Sequence, residues 1–105
     1  MQRFLVLYRS TMSMGEQMSS TTPEQREASM AAWMAWGAGA GDALVDWGVP
    51  TMPTSDDDPG PTGWIGGYSI LQADDLDGVN AVLADHPHRA MGTIEILAMM
   101  DMPGA

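Results

Sequence analysis

Gly67-Tyr68-Ser69-Ile70-Leu71-Gln72-Ala73, residues 74–85, His86-Pro87-His88-Arg89 and Thr93-Ile94-Glu95-Ile96-Leu97 form the run that decides the fold. The first segment reads as a strand, with Tyr68 and Ile70 on one face and Leu71 and Ala73 on the other. Residues 74–85 change period. Leu76, Val79, Val82 and Leu83 make a helical stripe, Asp74 suits the cap, and Asp75 and Asp77 suit the positive end of the helix dipole. Pro87 ends that helix, because the residue before a proline is pushed out of the helical region. Residues 93–99 return to strand period, with Ile94 and Ile96 on one face and Leu97 and Met99 on the other. Both histidines of the chain fall in the connection between helix and last strand.

The N-terminal half repeats the plan. Residues 2–8 predict a strand with Phe4, Val6 and Tyr8 on one face and Leu5 and Leu7 on the other; residues 9–21 read as loop. Thr22-Pro23-Glu24-Gln25 is a helix start with a capping box. Met30, Trp33, Met34, Gly37, Gly41 and Leu44 mark the expected buried stripe of a helix ending at Gly48. Gly37, Gly39 and Gly41 each cost about 1 kcal/mol against Ala inside a helix, which close packing would offset. Residues 49–54 carry Pro50 and Pro53, so they fit only an edge strand. Residues 55–63, with Asp56-Asp57-Asp58-Pro59-Gly60-Pro61, form a hairpin loop.

The order is therefore strand, helix, strand, strand, helix, strand. This is the α+β, ferredoxin-like βαββαβ plan, a four-stranded antiparallel sheet in the order 4-1-3-2. It places strand 2 at an edge, where the prolines require it. Two helices cover one sheet face, yet three strands are apolar on both. An exposed apolar face of that size predicts a homodimer, sheet to sheet. One domain over residues 1–99 and a tail over residues 100–105 are expected.

Composition narrows the partners. The 105 residues carry 14 Asp and Glu against four Lys and Arg, all of the latter Arg, for a net charge of −10. With a pI near 4.1, no nucleic acid and no anionic membrane surface is an expected partner, since both demand clustered cations. The absence of Cys excludes disulfides, thiolate catalysis and sulfur-ligated zinc. No apolar run approaches a membrane span, and the first ten residues do not read as a signal peptide, so a cytoplasmic protein is expected.

The residues resemble the YCII-related family at Arg3-Phe4-Leu5-Val6-Leu7-Tyr8, Thr22-Pro23-Glu24-Gln25, Gly66-Gly67-Tyr68-Ser69-Ile70, the helix containing Ala81, His86-Pro87-His88 and Gly92-Thr93-Ile94-Glu95-Ile96. The resemblance implies a dimeric α+β barrel. It also implies an acid–base site, because some members carry a His near the start of the first helix and an Asp directly before the proline that ends the second. This chain has Gln25 and His86 at those places. An Asp-Gly-Pro-Phe hairpin found in a related subgroup is not matched by Asp58-Pro59-Gly60-Pro61.

The topology gathers candidate chemistry at one rim: the end of strand 1, the start of helix 1, the hairpin, the end of helix 2 and the start of strand 4. His86 and His88 are the candidate proton-transfer groups, with Asp58 of the hairpin, or Asp85, as orienting carboxylate. Arg9 suits an anionic substrate group. Tyr8, Gln25, Trp33 and Tyr68 complete the candidate substrate-binding set. No cofactor and no metal is expected: His86 and His88 flank a proline and lack a third ligand at a diagnostic spacing. Two functions are consistent with this reading. One is a small cofactor-independent enzyme carrying out isomerisation or elimination on a small organic acid or phenol-like compound. The other is a non-catalytic dimeric module that binds a small molecule in the same place.

Overall fold

A computed structural model describes residues 1–12 and 14–100, residue 14 by its backbone alone. The tail expected over residues 100–105 lies, apart from Met100, outside the described residues.

Strand β1 (Gln2–Ser10) is central. Its burial alternates: Phe4, Val6, Tyr8 and Ser10 are buried, whereas Leu5, Leu7 and Arg9 are half-buried. It pairs antiparallel with β3 (Trp64–Ala73) on one side and β4 (Thr93–Ala98) on the other. A short edge strand, β2 (Leu44–Asp46), completes the sheet in the order β2-β3-β1-β4, the reverse listing of 4-1-3-2. The fold is ferredoxin-like.

The helices cover one face. In register, Phe4 pairs with Leu71 and Val6 with Ser69 on β3, while Val6 and Tyr8 pair with Ile96 and Ile94 on β4. Helices α2 (Pro23–Ala40) and α3 (Leu76–Leu83) lie over these residues. The core is Phe4, Val6, Tyr8, Trp36, Leu71, Val79 and Leu83. Each such side chain contributes about 1.5–3 kcal/mol when fully withdrawn from water. On the opposite face Leu5, Leu7, Tyr68 and Ile70 are half-buried and Leu97 is exposed. Arg9 and Glu95 form an ion pair of 2.7 Å there.

Five local expectations are corrected. Residues 9–21 contain a helix, α1 (Met14–Ser20), whose end carbonyls are bonded by Arg26, from Nη1 to Met18 O at 3.1 Å and to Thr21 O at 3.4 Å. Helix α2 starts at the expected capping box but stops at Ala40, where Gly41 takes φ +56° and turns the chain into a 3₁₀ turn. The second strand lies at Leu44–Asp46 rather than residues 49–54. Pro50 contributes only a lone bridge to Gly67, as a residue without an N–H must. The buried stripe of α2 is Trp33, Trp36, Gly37 and Ala40, whereas Met30 and Met34 are 64% and 58% exposed. Residues 30–36 are apolar all round, so period alone did not fix the phase. The bond from Trp36 Nε1 to Val82 O, 2.9 Å, fixes it by docking the indole on α3. Finally, Asp75 rather than Asp74 caps α3, accepting from Gly78 N–H at 2.9 Å, and Leu76 is left exposed.

Among the described residues no helix is long and apolar enough to cross a membrane.

Candidate functional site

The site is built on the turn that follows α3. Pro87 forces His86 into an extended conformation (φ −63°, ψ 134°). That geometry folds the His86 side chain over the start of the 3₁₀ turn Pro87–Ala90. His86 Nδ1 accepts a hydrogen bond from the backbone N–H of His88 at 3.0 Å. His88 Nε2 lies 2.8 Å from Arg9 O. A carbonyl only accepts, so His88 Nε2 carries a proton and donates. Gly92 makes this approach feasible: a Cβ there would run into Arg9 O and sit 3.0 Å from His88 Nε2.

These bonds fix both neutral tautomers. His86 has its lone pair on Nδ1, already used, and its proton on Nε2. His88 has its proton on Nε2, already used, and its lone pair on Nδ1. The two imidazoles therefore offer opposite things: His86 an N–H donor, His88 a base.

His86 is 2% exposed and sits among three aromatic rings. Tyr8 stacks on it at 4.7 Å between centroids, while Trp33 and Trp36 meet it edge-on at 4.4 and 4.3 Å. Its Nε2 is buried and has no hydrogen-bond partner among the described residues. Burial lowers its pKa from the ordinary 6.5 to about 4, helped by the neighbouring charges of His88 and Arg89 and opposed by Asp85. It is therefore neutral at pH 7. Tyr8 is held by its hydroxyl, which donates to Ser69 Oγ at 2.9 Å; Ser69 Oγ donates in turn to Trp47 O at 2.9 Å. Burial raises the Tyr8 pKa, so the phenol stays protonated.

The structure brings together four of the residues singled out from sequence, His86, His88, Tyr8 and Trp33. The others lie elsewhere. Arg9 contributes its carbonyl to the site, but its guanidinium is on the far face, bonded from Nε to Glu95 at 2.7 Å and from Nη1 to Gly63 O at 3.2 Å. Tyr68 pairs in register with Leu7 and so shares that far face. Gln25 is spent on the capping box, its Oε1 accepting from Thr22 N–H at 2.8 Å. Asp58 is exposed and accepts from Gly60 N–H at 2.9 Å within its own loop. No carboxylate hydrogen-bonds either imidazole among the described residues; backbone groups orient both. Nor does any group of three or more His, Asp or Glu side chains there stand ready to hold a metal.

Sequence reasoning missed Trp36 and Ser69. Trp36 lies three residues after Trp33 on the same helix, a spacing that puts both on one face, and this was the available signal. Ser69 stands alone on the core face of an otherwise apolar strand, where a hydroxyl needs a partner.

The YCII-related domain model matches residues 4–103. Among solved structures, the chain is similar to the 5-chloro-2-hydroxyhydroquinone dehydrochlorinase of Burkholderia phenoliruptrix AC1100 in complex with 2,5-dihydroxybenzoquinone. The identity is 17%, the TM-score 0.59, and 96% of each chain is covered. It is also similar to a dimeric ferredoxin-like protein of unknown function from Thermobifida fusca, at 20% identity and a TM-score of 0.47, over 93% of this chain and 90% of that one. No curated protein matches it. With nearly its whole length under the family model, and the ferredoxin-like sheet carrying its histidine turn, the chain belongs to the YCII-related family.

Proposed function

We propose that the histidine turn is the site of cofactor-independent acid–base chemistry, isomerisation or elimination, on a small phenol-like or enolisable compound. The observation that carries this reading is the buried Nε2–H of His86, unpartnered inside an aromatic enclosure. A buried donor left unbonded costs about 1–3 kcal/mol, so the atom calls for an explanation, and a ligand oxygen accepting from it supplies one.

The division of roles follows from the tautomers. His86 donates from Nε2 to a substrate oxygen and stabilises negative charge that develops there. It does so as a neutral imidazole, and it is a poor base because its own lone pair is bonded to the His88 amide. His88 Nδ1 supplies the base. Its Nε2–H to Arg9 O contact steadies the imidazolium formed when Nδ1 takes a proton. Tyr8 and Trp33 give a planar ring its stacking faces. The ferredoxin-like dehydrochlorinase named above acts on a ring of this class, and elimination from a ring falls within the proposed chemistry.

A second reading keeps the same enclosure and drops the turnover. It is favoured by the lack of a carboxylate on either imidazole among the described residues, since an unsupported His is a weaker base. Incubation with hydroquinone and chlorohydroquinone probes, followed by absorbance and by chloride release, separates the two. Turnover lost in both His88→Ala and His86→Phe supports the enzyme. Thermal stabilisation by the probe without its consumption supports the binding module. Neither effect with any probe overturns the site.

The assembly proposed is a homodimer formed through the helix-free sheet face. Leu5, Leu7, Tyr68, Ile70 and Leu97 make a contiguous apolar surface across β3, β1 and β4. A second copy laid on this face withdraws it from water and encloses the Arg9–Glu95 pair. A cytoplasmic location is part of the same proposal.

A further inference from the structure

The enclosure around His86 poses a problem of access. Its Nε2 is fully withdrawn from solvent, so any partner for that donor must first displace a wall. Three rings form the walls, and they are not equally fixed. Tyr8 is 2% exposed and is tied by its hydroxyl to Ser69, which is tied to Trp47 O. Trp36 is 7% exposed and is tied by Nε1 to Val82 O. An open groove between α2 and α3 is lined by Trp36, Ala40, Val82 and Asp85 and does not include His86. Trp33 differs on both counts. It is only partly buried, and among the described residues no hydrogen bond holds its indole. Its helix neighbours Met30 and Met34 are 64% and 58% exposed, so neither is packed down over the indole.

We infer that Trp33 is the gate of the site: its indole swings out to admit a planar, ring-bearing ligand, whose oxygen then accepts from His86 Nε2. This rests on the proposed reading of His86 as a ligand-facing donor. The ligand class follows from the space the indole leaves. That space is bounded by Tyr8, whose ring meets Trp33 edge-on at 4.8 Å, and by His86 at 4.4 Å. These two walls are flat rings, and His86 Nε2 is a polar atom that no residue among those described satisfies. A single aromatic or quinonoid ring bearing a hydroxyl or carbonyl oxygen fills that space. An aliphatic acid leaves the walls unfilled and places a carboxylate beside rings that cannot solvate it. Trp33 thereby sets both entry and ring size.

The test reads the His86 Nε2 proton directly, by its exchange with water in NMR, and does not depend on turnover. In the wild-type protein this exchange should be slow, because Nε2 is buried. In Trp33→Ala it should be faster by about tenfold or more, because local opening no longer requires the indole to move. Phenol, added as the probe, should slow it again and raise the melting temperature of Trp33→Ala more than that of the wild type. Trp33→Phe should lie between the two. If Trp33→Ala does not fold, Trp33→Leu is read in its place. Exchange at the wild-type rate in a folded variant, with amide protection in β1 and α3 intact, overturns the gate. Faster exchange without any effect of phenol overturns the ligand class. A gate that passes while every hydroquinone probe is left unchanged leaves access through Trp33 established and overturns only the catalytic reading above, so the two failures are distinguishable.

Discussion

Replacing His86 with Phe should convert the pH dependence of stability into a direct measure of the buried imidazole. The folded state holds His86 at a pKa of about 4 against an ordinary 6.5, chiefly by burial. The unfolded chain therefore binds a proton that the folded chain refuses between those two values. Stability then falls as pH drops through that window, and it is untouched above it. At 1.36 kcal/mol per pH unit of difference, the wild type should lose about 3 kcal/mol between pH 7 and pH 4 from this group alone. Phe preserves the stacking on Tyr8 and the edge contacts with Trp33 and Trp36, but it removes the acceptor of the His88 amide. That omission should cost about 1–3 kcal/mol at pH 7. Phe also removes the unpartnered Nε2–H, a relief of similar size, so the two proteins should be close in stability at pH 7 and the variant should be the more stable by about 3 kcal/mol at pH 4. Urea unfolding of both proteins at one fixed concentration, at pH 7, 6, 5 and 4, gives the difference. Carboxylates titrate in both proteins and cancel from it. A difference that stays constant from pH 7 to pH 4 would refute the claim that His86 is buried in its neutral form.

Other consequences are read more simply. Leu7→Asp places a charge on the helix-free sheet face and should yield a monomer in sedimentation velocity at a concentration where the wild type is a dimer; a variant that still dimerises puts the interface elsewhere. Gly37→Ala drives a Cβ into the Trp47 ring and should cost about 1–3 kcal/mol, with the Trp47 indole resonance displaced in NMR. Gly92→Ala collides with Arg9 O. It should break the His88–Arg9 contact, releasing the His88 imidazole to a different tautomer ratio by nitrogen-15 NMR and lowering any turnover as far as His88→Ala does.

What the sequence made legible was the part governed by period and punctuation. The alternation in β1, β3 and β4, the capping box at Thr22 and the proline at position 87 each act within a few residues. Each therefore survives in the folded chain nearly where pattern reading puts it. The edge position of strand 2 was legible too, from Pro50 and Pro53, although the residues that pair, Leu44 to Asp46, come earlier. The phase of α2 was not legible. A run of Met, Ala and Trp offers no polar face to choose against, so the contact between Trp36 and Val82 decides which side turns inward. The same holds for the site. Proximity in topology brought Tyr8 to the histidines, but it could not tell that the side chain of Arg9 leaves on the other face while its carbonyl stays. That follows from strand alternation applied one residue further along β1, and it converts an anticipated anion anchor into a backbone acceptor.

A histidine before the proline, where the family resemblance implies an aspartate in some members, then acquires a physical meaning. An Asp at position 86 would be a charged acceptor in contact with Trp33, Trp36 and Tyr8, with burial forcing its pKa upward. A His there accepts the His88 amide through Nδ1, as an Asp oxygen would, and so leaves the turn intact. It also keeps a proton on its other nitrogen without carrying charge. The exchange therefore preserves the cap and changes the chemistry offered to the interior from a proton acceptor to a neutral donor. Under the proposed acid–base function, with the donor fixed at position 86, the base comes from another side chain. The one that the same turn brings to the same carbonyl rim is His88, two residues on, held by Arg9 O so that its lone pair faces away from that bond. On the proposed acid–base reading, the two histidines divide the labour through one proline and one glycine: Pro87 extends the chain at His86, and Gly92 lets β1 come close enough to orient His88.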